Sequence, residues 1–467
     1  MINYSASYTD QYQLTMSQVY FLKGQGESEA VFDYFFRSLP FHSGYAVFAG
    51  LEDLLNTLET LRFDARDLEF LKESGFHPAF IESLKSFRFK GKIFSSREGD
   101  LVFPTRPVLQ VHATLIEVQI IETILLNMLN FQTLIATKAS RMRQAAGTRR
   151  LIDFGLRRAQ GPGGYGATRA AVIGGFDATS NVRAARDYDI PLAGTMAHSF
   201  IESYDNEYLA FDDFAQVHPD NCILLVDTYD TLKSGVPNAI RVAKEMESNG
   251  LRLKGIRLDS GDLAYLSKAS RKMLDEAGLP YVQIAVSNQL DEHIIKSLQD
   301  QKAPIDVFGV GTSLVTGQPD AALDGVYKLA FANGKPRIKL SENVSKITLP
   351  HLKQVYRMID HEGRFAGSDA VALSTEQHID TMHHPMYKDK FLSVKQFSQE
   401  PLLEKVMENG QRLKPQLSPS EIAQYSRERL NRLPDEYKRF DYPHIYKVGL
   451  STGLLSERDR LIGEHKL

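Results

Sequence analysis

From residue 149 the 467-residue chain changes character: short β-branched runs alternate with amphipathic helical patterns, and no other feature constrains the fold as tightly. The candidate strands are 150–154, 190–193, 222–227, 255–258, 281–286 and 305–309, with helices such as 236–248 and 263–277 between them. Gly278 and Pro280 supply stop signals after the second of these helices. Parallel neighbours cannot be joined by a tight turn, so repeated strand–helix units predict a parallel sheet covered by its own crossover helices. Six units in succession predict a barrel rather than an open sheet.

The flanks read differently. Residues 1–130 mix helix and strand signals without regular alternation, opening on a segment where Ser7, Thr9 or Asp10 offers a helix cap. From Pro107 the pattern reads as one long helix, with Leu115, Val118, Ile121, Leu125 and Met128 three or four residues apart. After about residue 325 regularity is lost again, and Asn333-Gly334 predicts a hairpin turn. The expected organisation is an N-terminal α/β domain (1–130), a βα-barrel catalytic domain (131–340) and a C-terminal segment (341–467) that rejoins the N-terminal domain.

Composition removes several function classes. With 55 Lys plus Arg against 58 Asp plus Glu the net charge is −3, which disfavours a nucleic-acid partner held by bulk charge. The most apolar stretch, 115–128, is interrupted by Glu117, Glu122 and Asn127, so no membrane span is expected. A secretory leader is not readable at the N-terminus, and the single cysteine, Cys222, excludes an internal disulfide, so a cytoplasmic location is expected.

The carboxyl ends of parallel strands form the ligand mouth of α/β proteins, because the strand-to-helix loops converge there. Here the strands run into Phe154-Gly155-Leu156-Arg157-Arg158, Gly194-Thr195-Met196-Ala197-His198, Asp227-Thr228-Tyr229, Asp259-Ser260-Gly261-Asp262, Ser287-Asn288 and Gly309-Val310-Gly311-Thr312. Asp259 and Asp262 suit either the vicinal hydroxyls of a ribose or a divalent cation, and equally suit helix capping. The glycines of 161–166 and of Gly309 and Gly311 let backbone amides approach a phosphate, or serve only as turns. Arg157, Arg158 and Arg257 at strand ends suggest an anionic substrate or internal salt bridges. His198 alone fits a structural role as readily as a catalytic one. No Ser-His-Asp or Cys-His arrangement is present, and His383-His384 lacks companions for a metal site.

The segments Thr9-Asp10-Gln11-Tyr12-Gln13-Leu14-Thr15-Met16, Phe154 to Gly161, Gly194 to Phe200, Arg257 to Asp262 and Gly309 to Thr312, in that order, resemble the nicotinate phosphoribosyltransferase family. The resemblance implies a type II phosphoribosyltransferase fold: an irregular α/β barrel packed against a second α/β domain formed by both ends of the chain. It further implies an enzyme of NAD biosynthesis, now grouped with ligases, that joins nicotinate to 5-phosphoribosyl 1-diphosphate, coupled to ATP hydrolysis through a phosphorylated histidine. Mg2+ accompanying the diphosphate donor and ATP is implied, with no dedicated protein metal site, as is a homodimer with shared active sites.

By motif, the resemblance places Tyr12, from the other subunit, and Phe154 on the two faces of the pyridine ring. Thr195 and Arg257 would meet the nicotinate carboxylate, Asp259 the ribosyl hydroxyls, Arg157 the anionic donor, and Gly311 with Thr312 its 5′-phosphate. His198 would be the phosphohistidine. The alternatives are the sister enzyme for nicotinamide and an inactive barrel dimer acting as a binding module.

Overall fold

The computed structural model describes residues 4–342, 346–387 and 389–465. The chain divides into two compact units, residues 138–321 and residues 1–137 with 322–467.

In the 138–321 unit six strands pair in parallel, in the spatial order Ala178–Thr179, Arg150–Asp153, Val307–Val310, Gln283–Ser287, Gly255–Leu258 and Ile223–Leu225. One face of this sheet is sealed: Leu151, Leu224, Ile256, Ile284 and Phe308 are 0% exposed. Alternate positions on the same strands, among them Ile152, Ile223, Arg257, Ala285 and Gly309, line a single cavity. Side chains from both ends of the strand order can surround one cavity only if the sheet curls, so the unit is an irregular α/β barrel, as expected.

Its wall departs from expectation at one edge. Residues 190–193 contribute only a single parallel bridge, Leu192 to Thr179, and the strand beside them is the two-residue Ala178–Thr179. Pro191 has no N–H to give to a ladder, whereas its carbonyl accepts from Thr179 and Ala193 N–H donates back to Thr179. Among the described residues no strand pairing joins this edge to Ile223–Leu225, so the barrel is not closed by hydrogen bonds.

The helices follow the sequence signals closely. Val236–Ser248 buries Val236, Ala239, Val242, Ala243 and Met246, the three-and-four spacing of an amphipathic face. Leu263–Glu276 is capped by Asp262, whose side chain accepts from Tyr265 N–H at 3.0 Å. Of the capping roles open to the Asp259–Asp262 turn, Asp262 takes the cap and Asp259 is free to face the barrel mouth.

The other unit is built on two large sheets, with a two-stranded ribbon pairing Ala46–Val47 and Leu101–Val102 beside them. A seven-stranded antiparallel sheet orders Lys335–Pro336, Gly325–Ala332, Glu29–Phe36, Leu109–Thr114, Lys92–Ser95, Glu404–Glu408 and Gln411–Arg412. Both ends of the chain therefore share one sheet, and Gly325–Ala332 belongs to it although the sequence suggested a barrel span of 131–340. A six-stranded sheet from residues 353–450 is wholly C-terminal.

The helix expected from Pro107 begins only at Leu115. Residues Leu109–Thr114 form a strand between Glu29–Phe36 and Lys92–Ser95, because Leu109 and Val111 alternate into the core at period two. Thr114 and Glu117 then form a reciprocal capping box that starts the helix.

A buried charge network ties this unit together. Arg357, 0% exposed, reaches Asp100 at 2.8 Å and Asp369 at 3.0 Å, and Arg429 reaches the same Asp100 at 2.8 Å.

Candidate functional site

Arg257 is the hub of the barrel mouth. It lies on Gly255–Leu258, whose alternation turns Ile256 and Leu258 into the sealed face and Arg257 toward the cavity. Its Nη2 pairs with Asp259 Oδ1 at 2.9 Å, its Nε donates to Ser287 Oγ at 2.9 Å, and its Nη1 donates to Thr195 Oγ1 at 3.2 Å. Three strand-end loops are thereby fixed on one planar fork, a geometry that an ammonium cannot reproduce. Ser287 Oγ in turn donates a short hydrogen bond to Asp259 Oδ1.

Asp259 is positioned from a second side. Its N–H donates to Asp227 Oδ2 at 2.6 Å, and the same oxygen accepts from Ser260 Oγ at 2.7 Å. The other oxygen, Asp227 Oδ1, is buried without a hydrogen-bond partner. His198 opens the helix His198–Glu202; its Nδ1 is 3.0 Å from Thr228 Oγ1 and its Nε2 is 3.8 Å from Asp259 Oδ2. One ring nitrogen is thus oriented by a hydroxyl while the other faces the mouth, and the side chain is 39% exposed.

The Phe154 ring faces the Arg257 guanidinium, with 5.3 Å from the guanidinium carbon to the ring centroid. Its strand is anchored by the preceding residue: Asp153 accepts from Gly155 N–H at 2.8 Å, Thr168 Oγ1 at 2.7 Å and Thr179 Oγ1 at 2.9 Å. Burial pushes the Asp153 carboxyl above its ordinary pKa, and these three donors oppose that shift. Gly309 lies under the ring, where an added Cβ would stand 2.4 Å from Phe154 carbons. Because the obstacle is a ring, Gly309→Ala is expected to fold but to displace Phe154, at an overpacking cost of about 1–3 kcal/mol. If Phe154 faces the pyridine ring, as the resemblance implies, steady-state kinetics should show this mainly as a raised KM for nicotinate; an unchanged KM would remove Phe154 from that role.

Gly311 and Thr312 follow the neighbouring strand Val307–Val310, Gly311 immediately preceding the short helix Thr312–Val315. Arg157 and Arg158 occupy the turn Leu156–Arg158 and are exposed, with no ion pair among the described residues. Of the three arginines expected to converge, only Arg257 is held by an internal carboxylate; Arg157 and Arg158 are exposed. Tyr12 lies in the other unit, on Gln11–Leu22, 50% exposed, its hydroxyl donating to Glu122 Oε1 at 3.4 Å.

Ser287, Asp227 and Thr228 were not singled out from the sequence. Their signal was position alone, since Ser287 ends its strand and Asp227 and Thr228 stand in the loop after theirs, and which of them bond to Asp259 or His198 depends on neighbours in space. His383 and His384 bond within the C-terminal region, to Thr452 and to backbone N–H groups. Among the described residues no group of three or more His, Cys, Asp or Glu is arranged to hold a metal. No helix among them is long and apolar enough to cross a membrane.

A parallel α/β barrel in a chain whose two ends share a second α/β unit is the type II phosphoribosyltransferase fold that the sequence resemblance implies, and solved structures bear it out. A solved structure of human nicotinic acid phosphoribosyltransferase superposes with a TM-score of 0.87 at 32% identity, covering 97% of this chain and 99% of that one. A nicotinate-nucleotide pyrophosphorylase structure from Pyrococcus furiosus matches with a TM-score of 0.72 at 26% identity, over 91% of this chain and 95% of that one.

Family models for the N-terminal domain, the family itself and the C-terminal domain of nicotinate phosphoribosyltransferase match residues 8–130, 149–358 and 352–457. The nicotinate phosphoribosyltransferase of Bacillus subtilis is 46% identical over 98% of this chain and 95% of its own length, and that of Caenorhabditis elegans 36% identical over 96% and 91%. The chain belongs to the nicotinate phosphoribosyltransferase family.

Proposed function

We propose that this chain joins nicotinate to 5-phosphoribosyl 1-diphosphate, giving nicotinate mononucleotide and diphosphate for NAD biosynthesis, with ATP hydrolysis coupled through His198. The observation that carries the reading is the clamp on Arg257 by Thr195, Asp259 and Ser287 at the strand ends, with His198 alongside.

The pyridine nitrogen attacks the anomeric carbon as the bond to diphosphate breaks, so one C–N bond forms and the leaving diphosphate keeps the bonding pair. No proton moves in this step, so it requires no general base. Rate enhancement then comes from positioning and preorganised charge. Phe154 takes one face of the pyridine ring, and Tyr12 from a second copy of the chain takes the other. Thr195 and Arg257 meet the carboxylate, Asp259 holds the ribosyl hydroxyls, Arg157 attracts the anionic donor, and Gly311 with Thr312 receive its 5′-phosphate.

Magnesium suits this mouth as an ion carried by the substrate: Asp259 and the unpartnered Asp227 Oδ1 are hard oxygen donors, and they are too few to form a cage of their own. When bound, it offsets the charge developing on the leaving diphosphate.

His198 is the residue that separates ATP coupling from basal synthesis. Phosphorylation would add roughly 1.5 to 2 negative charges, drawing basic loops inward. His198→Ala is expected to fold and to keep slow ATP-independent synthesis while losing ATP hydrolysis and its stimulation of the rate. Incubation with γ-labelled ATP tests this directly: wild type should carry acid-labile, base-stable label and the variant none, and equal labelling removes His198 as the acceptor.

A site completed by two copies makes a further expectation. Tyr12→Ala and Asp259→Ala chains, each nearly inactive, should regain activity when dissociated and reassembled together, because one site of the mixed dimer has both native residues. Mixtures that form heterodimers yet stay as inactive as their parents would show that the site is built within one chain.

A further inference from the structure

Asp10 stands immediately before the helix Gln11–Leu22, where an aspartate ordinarily bonds the free N–H groups of the first turn. Here its side chain makes no such cap. Its carboxylate accepts from Thr123 Oγ1 at 2.9 Å, and Thr123 Oγ1 in turn accepts from Asp10 N–H at 3.2 Å. Thr123 lies in the first turn of the long helix Glu122–Ala146, and the residue before it, Glu122, accepts from the Tyr12 hydroxyl. The start of one helix is thus clasped to the start of another by a reciprocal pair at residue 10 and a further contact at residue 12. All four residues belong to the same compact unit.

The reciprocal pair docks the helix start without help from Tyr12. That ring is 50% exposed, so packing leaves its two side-chain torsions largely free, and a bond at the far end of the ring restrains both. The acceptor is itself held in place. Burial pushes the Glu122 carboxyl above its ordinary pKa, and Gln13, Lys328 and the Tyr12 hydroxyl oppose the shift, so the group sits among donors rather than in open water. Lys328, on Gly325–Ala332, feels the reverse: burial lowers its pKa and the charge of Glu122 opposes that.

We propose that Glu122 is a positioning residue for nicotinate binding: through the Tyr12 hydroxyl it fixes the plane in which the Tyr12 ring meets the pyridine ring bound by a second copy of the chain. The inference rests on the proposed function, which gives Tyr12 that face of the ring. A side chain already held in place loses less freedom when the substrate binds. Releasing it should therefore raise KM for nicotinate and spare kcat, because bond making and breaking occur at the anomeric carbon, which Tyr12 does not hold. A carboxylate in a first turn also stabilises its helix by charge alone, and that role predicts a different pattern. Glu122→Asp keeps the charge but draws the oxygens one carbon back from Tyr12; Glu122→Gln keeps the reach and an acceptor but loses the charge.

Initial rates at varied nicotinate, measured on wild type, Tyr12→Phe, Glu122→Ala and the double variant, test the proposal. Each single variant is expected to raise KM about two- to tenfold, the cost of ordering one side chain on binding. The double variant should rise no further than either single one, because both remove the same bond. Glu122→Asp should resemble Glu122→Ala, and Glu122→Gln should restore most of the wild-type KM. KM effects that add in the double variant overturn the proposal, as does a Glu122→Ala chain with a lowered thermal midpoint and unchanged KM. If Glu122→Ala does not fold, Glu122→Asp takes its place in the cycle with the same two readings. A wild type that makes no nicotinate mononucleotide refutes the proposed function and this inference with it, whereas an active wild type with additive effects refutes this inference alone.

Discussion

Arg257→Ala is expected to lose on the order of 100-fold or more in kcat/KM for nicotinate. A hydrogen bond to a charged group contributes about 1.5–3 kcal/mol, and about 1.4 kcal/mol is a factor of ten. Two functions fail together in this variant. On the proposed function the carboxylate of the substrate loses its planar partner, and Asp259 loses the cation 2.9 Å away that fixes its carboxylate. Ser287 remains hydrogen-bonded to Asp259, so the loop is expected to stay folded, and the loss falls on both KM and kcat. Arg257→Lys should recover little, since one ammonium cannot reach Thr195, Ser287 and Asp259 at once. Diphosphate release at varied nicotinate checks the expectation; an unchanged preference for nicotinate over nicotinamide in Arg257→Ala would remove the residue from carboxylate recognition.

Arg357→Leu is expected to destabilise the protein by about 3–5 kcal/mol, the usual cost of removing one partner from a buried ion pair. The substitution leaves Asp100 and Asp369, both buried, without the guanidinium between them. In the native protein burial pushes the Asp100 carboxyl up, but Arg357 and Arg429 outweigh it and hold the group below its ordinary value. A depressed pKa contributes stability that is fully present above the unfolded value, near pH 4, and is lost as pH falls through the folded one. The gap in thermal midpoint between wild type and Arg357→Leu should therefore be wide at pH 7 and narrow below about pH 4. An equal gap at both values would show that lost packing, not the buried charge, sets the cost.

The barrel was legible because its signal is local and repeated. Each apolar strand precedes an amphipathic helix, and Val236–Ser248 matches its periodic pattern residue for residue. The mouth was legible for a related reason, since the strand ends and the segments just after them carry Thr195, His198, Arg257 and Asp259 in short motifs. What escaped was whatever depends on distant partners. Leu109–Thr114 runs without a break into the apolar helix that follows, and only its neighbours Glu29–Phe36 and Lys92–Ser95 make it a strand. Arg357 and Asp100 are separated by 257 residues, and no periodicity announces such a pair. Arg157 and Arg158 differ from Arg257 in that both are exposed and no internal carboxylate fixes them.

Selectivity between an acid and its amide tests the account most directly, because the proposed function assigns Arg257 to the carboxylate that only the acid carries. Diphosphate release should be measured with 5-phosphoribosyl 1-diphosphate and either nicotinate or nicotinamide, each with and without ATP. Release with nicotinate, stimulated by ATP, and at least 100-fold lower kcat/KM with nicotinamide is the predicted result, the discrimination typical of a buried polar site facing a substrate that lacks its partner group. Equal rates with the two pyridines, or release with nicotinamide alone, would contradict it.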